Sequence, residues 1–124
     1  MIIGIGVDKV AILRIENSLS RFPHKFIQRV YTDAEYELAK AKGVGRRLAM
    51  FFAAKEAVSK ALGTGFMGFG MKDIEVIYQP SGKPDVVLHG GALEQAKALG
   101  VARVHLSLSD DAGTALAFSI AESA

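Results

Sequence analysis

Apolar positions recur along the chain with two different periods, and each period predicts a set of elements. Residues 2–7 are mostly β-branched residues and glycine, which predicts a short strand. Apolar residues at helical spacing predict helices over 11–22, 24–31, 33–42, 46–62 and 91–100. Alternating or turn-bounded apolar runs predict strands over 73–79, 84–89, 101–109 and 114–122. Because no linker or repeat separates these elements, we expect one α+β domain over residues 1–124, with an antiparallel β-sheet packed by a long central helix.

Local signals refine three of these elements. Gly4 and Gly6 leave one face of the first strand without side chains, which predicts that another element packs closely against its backbone. Thr32 and Glu35 have the spacing of a capping box, so a helix is expected to begin at 33. The run Asp110–Gly113 predicts a hairpin turn between the last two strands.

Composition excludes several classes of protein and site. The chain has 124 residues, of which 50% are hydrophobic and 23% charged, a balance typical of a globular domain. It has no cysteine, which excludes disulfides, thiolate zinc sites and a cysteine nucleophile, and its three histidines lie far apart. No apolar run is long enough to span a bilayer, and the first residues do not resemble a secretory signal. We therefore expect a soluble cytoplasmic protein.

Charge is distributed unevenly between the two halves of the chain. Residues 9–60 hold eleven basic and five acidic side chains, whereas residues 61–124 hold four basic and seven acidic ones. A basic surface favours polyanions such as nucleic acid, a phosphorylated small molecule or an acidic protein. The same charges are also compatible with an ordinary solvated face.

Three charged residues have both a structural and a catalytic interpretation. Asp8 follows the first predicted strand, where position alone favours a helix N-cap over a ligand of Mg²⁺. Glu56 and Lys60 are four residues apart on the longest helix, a spacing that fits either an ion pair or a metal–phosphate centre.

Three further segments carry polar or flexible residues. Lys55 interrupts the apolar stripe of the same helix, which slightly favours an alkyl stem with its ammonium at the rim over a lysine near a phosphate. The glycine-rich loop over 63–70 lacks the pattern of a P-loop or a dinucleotide fingerprint. His105, Ser107 and Ser109 share a strand face that suits phosphate or adenine contacts better than a hydrolase triad.

Together, these motifs resemble a known family. The segments that carry the resemblance are GIGVD at 4–8, Arg14, FAAKEAVSKALGTG at 52–65, DIEV at 73–76, GKP at 82–84 and HLSLS at 105–109. They are similar to bacterial holo-acyl-carrier-protein synthase, the small type of 4′-phosphopantetheinyl transferase. The resemblance implies the phosphopantetheinyl transferase fold and a Mg²⁺-dependent transfer of 4′-phosphopantetheine from coenzyme A to a serine of apo acyl carrier protein. It also implies release of adenosine 3′,5′-bisphosphate, a role in fatty acid biosynthesis and a homotrimer with sites at subunit interfaces.

The resemblance also implies roles for individual residues. Asp8 and Glu56 match metal ligands, and Lys60 matches a phosphate-binding lysine. These three form the expected catalytic set, with Glu56 as the hypothesised general base and Asp8 as the alternative. The residues that match the coenzyme A site are Ser59, Lys60, Gly63, Lys83, Pro84 and His105. The residues that match the region docking the acidic carrier protein are Arg14, Arg21, Lys25 and Arg29.

The chain departs from the family pattern near the expected coenzyme site. Phe51 stands where family members often carry an arginine, and Arg46, Arg47 or Lys42 are candidates to replace that cation. Asp110 stands where a histidine is common. Two alternatives remain. The basic first half also fits a non-enzymatic module that binds nucleic acid, and the missing cation at Phe51 also fits a subunit that binds coenzyme A without turnover. The chain has no recognition-helix, zinc or RNP pattern, so we expect neither nucleic acid nor membrane as a partner.

Overall fold

The structure, a computed structural model, describes all residues 1–124. Its five strands are β1 (Ile2–Ala11), β2 (Ile74–Tyr78), β3 (Pro84–Leu88), β4 (Val101–Asp111) and β5 (Thr114–Ser123). Its five α-helices are α1 (Ile12–Arg21), α2 (Pro23–Val30), α3 (Asp33–Lys40), α4 (Val44–Ala61) and α5 (Gly90–Leu99). A single 3₁₀ turn covers Met71–Asp73. None of the helices combines the length and apolar character needed to cross a membrane.

The strands form two antiparallel sheets, whereas the sequence predicted one. The larger sheet has the order β1-β5-β4, and β2 pairs only with β3. β4 and β5 are joined by a tight hairpin in which Ala112 and Gly113 both have positive φ, as in a type I′ turn. The predicted hairpin is therefore confirmed, although β4 continues through Asp111.

The long helix α4 is the centre of the core, as predicted. It lies on one face of the larger sheet, and twelve of its eighteen residues are buried. β1 approaches it very closely: a Cβ on Gly4 would lie 1.9 Å from the carbonyl oxygen of Ala61, and one on Gly6 would lie 1.8 Å from that of Ala57. The prediction that an element packs against the bare face of this strand is confirmed, and that element is α4.

Two local predictions at element ends differ in outcome. The capping box before α3 is confirmed, because the Thr32 side chain accepts from the backbone N–H of Glu35 and Glu35 accepts from that of Thr32. The cap role of Asp8 is wrong, since β1 continues through Ala11 and the N-cap of α1 is Ala11, without a side-chain bond. Asp8 is therefore an interior strand residue.

Lys55 was expected to extend its ammonium to the protein surface, and that expectation is wrong. Its side chain is fully buried, and Nζ lies 2.8 Å from Oε1 of Glu35. The ammonium also donates to the carbonyl oxygens of Met71 at 3.0 Å and Ile74 at 2.6 Å. Lys55 thus joins α4 to α3 and to the start of β2, and it lies near no surface that a phosphate could reach.

Candidate active site

The register between β1 and α4 places Asp8 beside Glu56. Gly4 and Gly6 contact successive turns of α4 at Ala61 and Ala57, so the next inward-facing residue of β1 lies one turn further along the helix. That residue is Asp8, and that turn contains Glu56. The two glycines therefore make the close approach that brings an acid from a strand to an acid on a helix.

Lys60 completes this cluster from the following turn of α4. Its ammonium donates to Oδ1 of Asp8 and to the carbonyl oxygen of Val7, both at 3.0 Å. The lysine side chain is 51% exposed, so it can still reach a ligand in solvent. The ion pair between Glu56 and Lys60, one of the two arrangements that the spacing allowed, is not formed, because the ammonium pairs with Asp8.

The environment of Glu56 disfavours its negative charge. Partial burial raises the pKa of its carboxyl group, and the nearby charge of Asp8 raises it further. The positive charges of Lys60 and Arg14 act in the opposite direction on this pKa. Two carboxylates held at close quarters are hard oxygen donors, and a divalent cation would relieve their repulsion.

The two carboxylates of Asp8 and Glu56 therefore fit Mg²⁺ better than a metal that takes all of its ligands from the protein. No cluster of three or more His, Asp or Glu side chains is present. Mg²⁺ is commonly held by one or two carboxylates together with ligand phosphates and water. Asp8 and Glu56 provide that number of carboxylates.

Two more residues expected at the coenzyme site lie close to this cluster in the chain: Ser59 on α4 between Glu56 and Lys60, and Gly63 just after the helix. Ser59 is 1% exposed and its hydroxyl donates to the carbonyl oxygen of Glu56 at 2.7 Å, so it supports the helix backbone at that residue. Gly63 ends the helix with φ of +83° in open surroundings. Its position begins the glycine-rich loop and leaves backbone accessible next to Lys60.

The remaining residues expected at the coenzyme site line a separate groove. Lys83, Pro84 and His105 lie together around a cavity of about 270 Å³, and His105 Nε2 is 2.9 Å from Oε1 of Glu122. His105 projects from the outer face of the larger sheet, because the alternate residue Leu106 is buried on the inner face. Asp8 faces inward, so the sheet separates the two groups within one chain.

The residues expected to dock the carrier protein lie on the first two helices. Arg21, Lys25 and Arg29 are exposed, and a groove of about 290 Å³ between α1 and α2 is lined by Lys25, Arg29 and the exposed Phe22. Arg14 lies nearest the acidic cluster, with its guanidinium 5.5 Å from the centre of the Phe52 ring on α4. These helices form one basic surface that ends next to Glu56.

The structure distinguishes among the three cations considered as replacements near Phe51. Arg46 is engaged with Asp110 through two hydrogen bonds of 3.1 and 2.8 Å. Arg47 contacts the ring and hydroxyl of Tyr78. Lys42 lines a cavity together with Arg47 and Tyr78. Sequence reasoning missed Tyr78, although Arg47 and Phe51 are one helical turn apart and could have suggested a shared contact.

Comparison with known proteins places these features in a family. The family model of the 4′-phosphopantetheinyl transferase superfamily matches residues 4–119. The chain belongs to the 4′-phosphopantetheinyl transferase superfamily. The chain is also 46% identical over 123 residues to the holo-[acyl-carrier-protein] synthase of Clostridium tetani, covering 98% of this chain and 97% of that protein. Within the superfamily, it is therefore a member of the holo-[acyl-carrier-protein] synthase family of transferases.

Solved structures of this transferase family share the fold. The crystal structure of the synthase from Neisseria meningitidis superimposes with a TM-score of 0.90 at 37% identity, covering 98% of this chain and 99% of that chain. The structure of the Helicobacter pylori synthase in complex with coenzyme A gives a TM-score of 0.85 at 35% identity, covering 95% of this chain and 99% of that chain. The expected α+β phosphopantetheinyl transferase fold is confirmed.

Proposed function

We propose that this transferase moves 4′-phosphopantetheine from coenzyme A to a serine of apo acyl carrier protein, releasing adenosine 3′,5′-bisphosphate. The observation that carries the proposal is the Asp8, Glu56 and Lys60 cluster formed where β1 meets α4. It combines two hard carboxylates with a partly exposed ammonium, which suits a pyrophosphate ligand. The relative from Helicobacter pylori is named as a complex with coenzyme A, which supports this substrate. By modifying acyl carrier protein, the transferase would support fatty acid biosynthesis.

In this proposal, Asp8 and Glu56 would hold Mg²⁺, and the bound ion would serve the pyrophosphate of coenzyme A. When bound, the ion supplies charge neutralisation to the phosphate oxygens, which lowers the repulsion met by an attacking hydroxyl. The raised pKa of Glu56 is consistent with a carboxylate pair that is completed by a cation.

The protein's own side chains then act on the proton and on the leaving group. The serine oxygen of the carrier forms a bond to the phosphorus of the phosphopantetheine group, and the bond to adenosine 3′,5′-bisphosphate breaks. Glu56 takes the serine proton, directly or through a water molecule, and Asp8 is the alternative base. Lys60 stabilises the charge that develops on the departing phosphate.

The basic surface of α1 and α2 is proposed to receive the acidic carrier protein. Arg14, Arg21, Lys25 and Arg29 supply its positive charge, and such complementarity accelerates and orients association. Because the guanidinium of Arg14 on α1 lies over the Phe52 ring of α4, a carrier docked on this surface presents its serine near Glu56.

We propose that the active assembly is a homotrimer with its sites between subunits. The outer face of the larger sheet exposes a cluster of apolar residues, with Ile5 57%, Val7 52%, Leu116 42% and Phe118 42% exposed. Val7 is directly opposite Phe118 in the sheet register, so the cluster is continuous. In this assembly, a neighbouring chain packs on this face and brings its Asp8 and Glu56 to the groove of Lys83 and His105.

The experiment that tests the function is incubation of purified protein with apo carrier protein, coenzyme A and Mg²⁺, followed by intact-mass measurement of the carrier. We expect the carrier mass to increase by one phosphopantetheine group, with no increase when coenzyme A is omitted. An unchanged mass with tight coenzyme A binding would indicate a silent binding subunit. An unchanged mass with a nucleic-acid gel shift would indicate the basic binding module instead.

A further inference from the structure

The buried ion pair between Lys55 and Glu35 is a feature that the proposed chemistry does not use. Both side chains are fully buried, and Nζ of Lys55 lies 2.8 Å from Oε1 of Glu35. Burial lowers the pKa of Lys55, because the protein interior disfavours the charged ammonium. Apolar side chains of similar size often stabilise a core at least as well as a buried ion pair does. Stability alone therefore does not account for this pair.

The pair also holds the segment that follows the glycine-rich loop over 63–70. The Lys55 ammonium donates to the carbonyl oxygens of Met71 at 3.0 Å and Ile74 at 2.6 Å. The second oxygen of its carboxylate partner accepts from the backbone N–H of Val76 at 2.8 Å. Because Lys55 lies on α4, the helix that leads into the loop, these bonds fix the far end of the loop to the helix at its near end.

The first residues of the loop have no side chains that fix them in place. Gly63 and Gly65 have positive φ, and a Cβ on either would meet no atom within 4 Å. Glycine leaves more backbone conformations open at such positions than any other residue does. Two backbone hydrogen bonds to the last turns of α4 hold these residues from one side. From the other side, their conformation depends on where Met71, the residue after the loop, is fixed.

This part of the loop begins beside the acidic cluster. Gly63 follows Lys60 by three residues, and the Lys60 ammonium donates to Oδ1 of Asp8 at 3.0 Å. Under the proposed function, Lys60 faces the phosphates of coenzyme A, so the loop starts at the border of the coenzyme site. A loop that is already in place binds a ligand more tightly than one that must become ordered, because ordering costs entropy.

We propose that the Lys55–Glu35 pair positions the glycine-rich loop for coenzyme A before the coenzyme binds. Both are positioning residues, because neither reaches the surface where substrates bind. Adjacent residues of α4 thus have separate tasks: Lys55 lies inside and holds the loop, while Glu56 belongs to the acidic cluster. The inference rests on the proposed function, since it concerns the same coenzyme site.

The test compares the unmodified protein with the double variant Lys55→Met and Glu35→Gln. This variant leaves no unpaired charge in the core, and glutamine can still accept the capping-box hydrogen bond. We expect the dissociation constant for coenzyme A, measured by calorimetry, to rise about tenfold. The KM for coenzyme A should rise in the same proportion, whereas kcat at saturating coenzyme A should be nearly unchanged, because the acidic cluster is intact.

Limited digestion with chymotrypsin measures how firmly the loop is held. Cleavage after Phe66 or Phe69 should be faster in the double variant, and saturating coenzyme A should protect the loop in both proteins. The matched control is Lys40→Met with Glu37→Gln, which removes an exposed ion pair from α3. That control should bind coenzyme A and resist digestion like the unmodified protein.

Hydrogen exchange in the unmodified protein tests the anchor without any substitution. The amide of Val76, which donates to Glu35, should be protected before coenzyme A is added. Coenzyme A should then slow exchange over 63–70. Fast exchange at Val76 in the free protein, or no effect of coenzyme A on the loop, would overturn the inference.

The binding and digestion results can each contradict the positioning role. The inference is overturned if the double variant binds coenzyme A as tightly as the unmodified protein, or if its loop is cleaved no faster. It is also overturned if kcat falls as much as binding weakens, because that result indicates a distorted acidic cluster. Failure of the unmodified protein to bind coenzyme A would contradict the proposed function itself, whereas digestion without coenzyme and exchange at Val76 would still test the anchor.

Discussion

Glu56 is half-buried and close to Asp8, which makes its carboxylate the group on which the proposed chemistry depends most. We predict that Glu56→Gln lowers turnover of carrier protein at least about 100-fold, because the amide can neither take a proton nor complete the acidic pair. Turnover is followed by the mass of the carrier. The melting temperature should stay near that of the unmodified protein, and Glu94→Gln on the exposed side of α5 should be fully active. Near-normal turnover of Glu56→Gln would refute the assignment.

The buried hydroxyl of Tyr31 makes the stability of the fold depend on pH in the alkaline range. Its ring is buried, and its hydroxyl donates to the carbonyl oxygen of Leu48 at 2.8 Å. Burial, followed by the charge of Glu35, raises the pKa of this phenol far above its usual value of about 10. The unfolded chain loses this proton above about pH 10 while the folded chain keeps it, so stability falls as pH rises between the two pKa values.

We predict that this tyrosine contributes a loss of about 1.4 kcal/mol per pH unit to the free energy of unfolding above about pH 10. Urea unfolding between pH 8 and about pH 11 measures the slope. Tyr31→Phe should be less stable at pH 8, because it leaves the carbonyl of Leu48 without its donor, yet its slope should be shallower by that amount. Identical slopes in both proteins would show that Tyr31 does not couple folding to this proton.

Residue-level prediction from the sequence succeeded where a motif carried the information and failed where tertiary contacts decided. The capping box at Thr32 is local, so its residues were sufficient to predict it. The fate of Lys55 depends on Glu35, which lies twenty residues away and faces it only after α3 packs against α4. The spacing of apolar residues along α4 shows that Lys55 lies on the buried face of the helix. It does not show that a carboxylate from another helix pairs with Lys55.

At the level of elements, the contact between β1 and α4 positions the acidic cluster. We predict that Gly6→Ala destabilises the protein by roughly 3 kcal/mol or more, because the new methyl group would overlap the carbonyl of Ala57 and push the strand from the helix. Chemical denaturation measures the change. Gly70→Ala is the matched control, since a Cβ there meets no atom within 4 Å and its φ is −100°. Equal stability of the two variants would contradict the close approach.

The predicted bounds of most elements agree with the observed bounds within a few residues, because long segments with regular apolar spacing carry strong signals. The main error was the end of β1, where the prediction stopped at residue 7 and the strand continues to Ala11. Pairing with β5 through Thr114 extends it, and such pairing between distant segments is invisible to local patterns. The division of the strands into two sheets escaped prediction for the same reason.

At the level of the whole molecule, the proposed trimer relies on the exposed apolar face of the larger sheet to bring Asp8 and Glu56 of one chain to the Lys83 and His105 groove of another. We predict that Phe118→Asp converts a trimer into monomers and abolishes turnover, since a charge at the centre of that face would be buried on association. Light scattering with the carrier mass assay measures both effects. Leu99→Asp on α5 places the same charge on another exposed apolar residue and should remain trimeric and active. A fully active monomer would contradict the shared site.

Binding of Mn²⁺, a spectroscopic substitute for Mg²⁺, in the presence of coenzyme A decides whether Asp8 and Glu56 share a cation. We predict one ion per chain, with affinity lowered about tenfold or more in Asp8→Asn and in Glu56→Gln. Glu37→Gln, an exposed acid paired with Lys40 on α3, should bind Mn²⁺ like the unmodified protein. Unchanged Mn²⁺ affinity in both Asp8→Asn and Glu56→Gln would contradict the central claim that the strand acid and the helix acid hold one cation against the pyrophosphate.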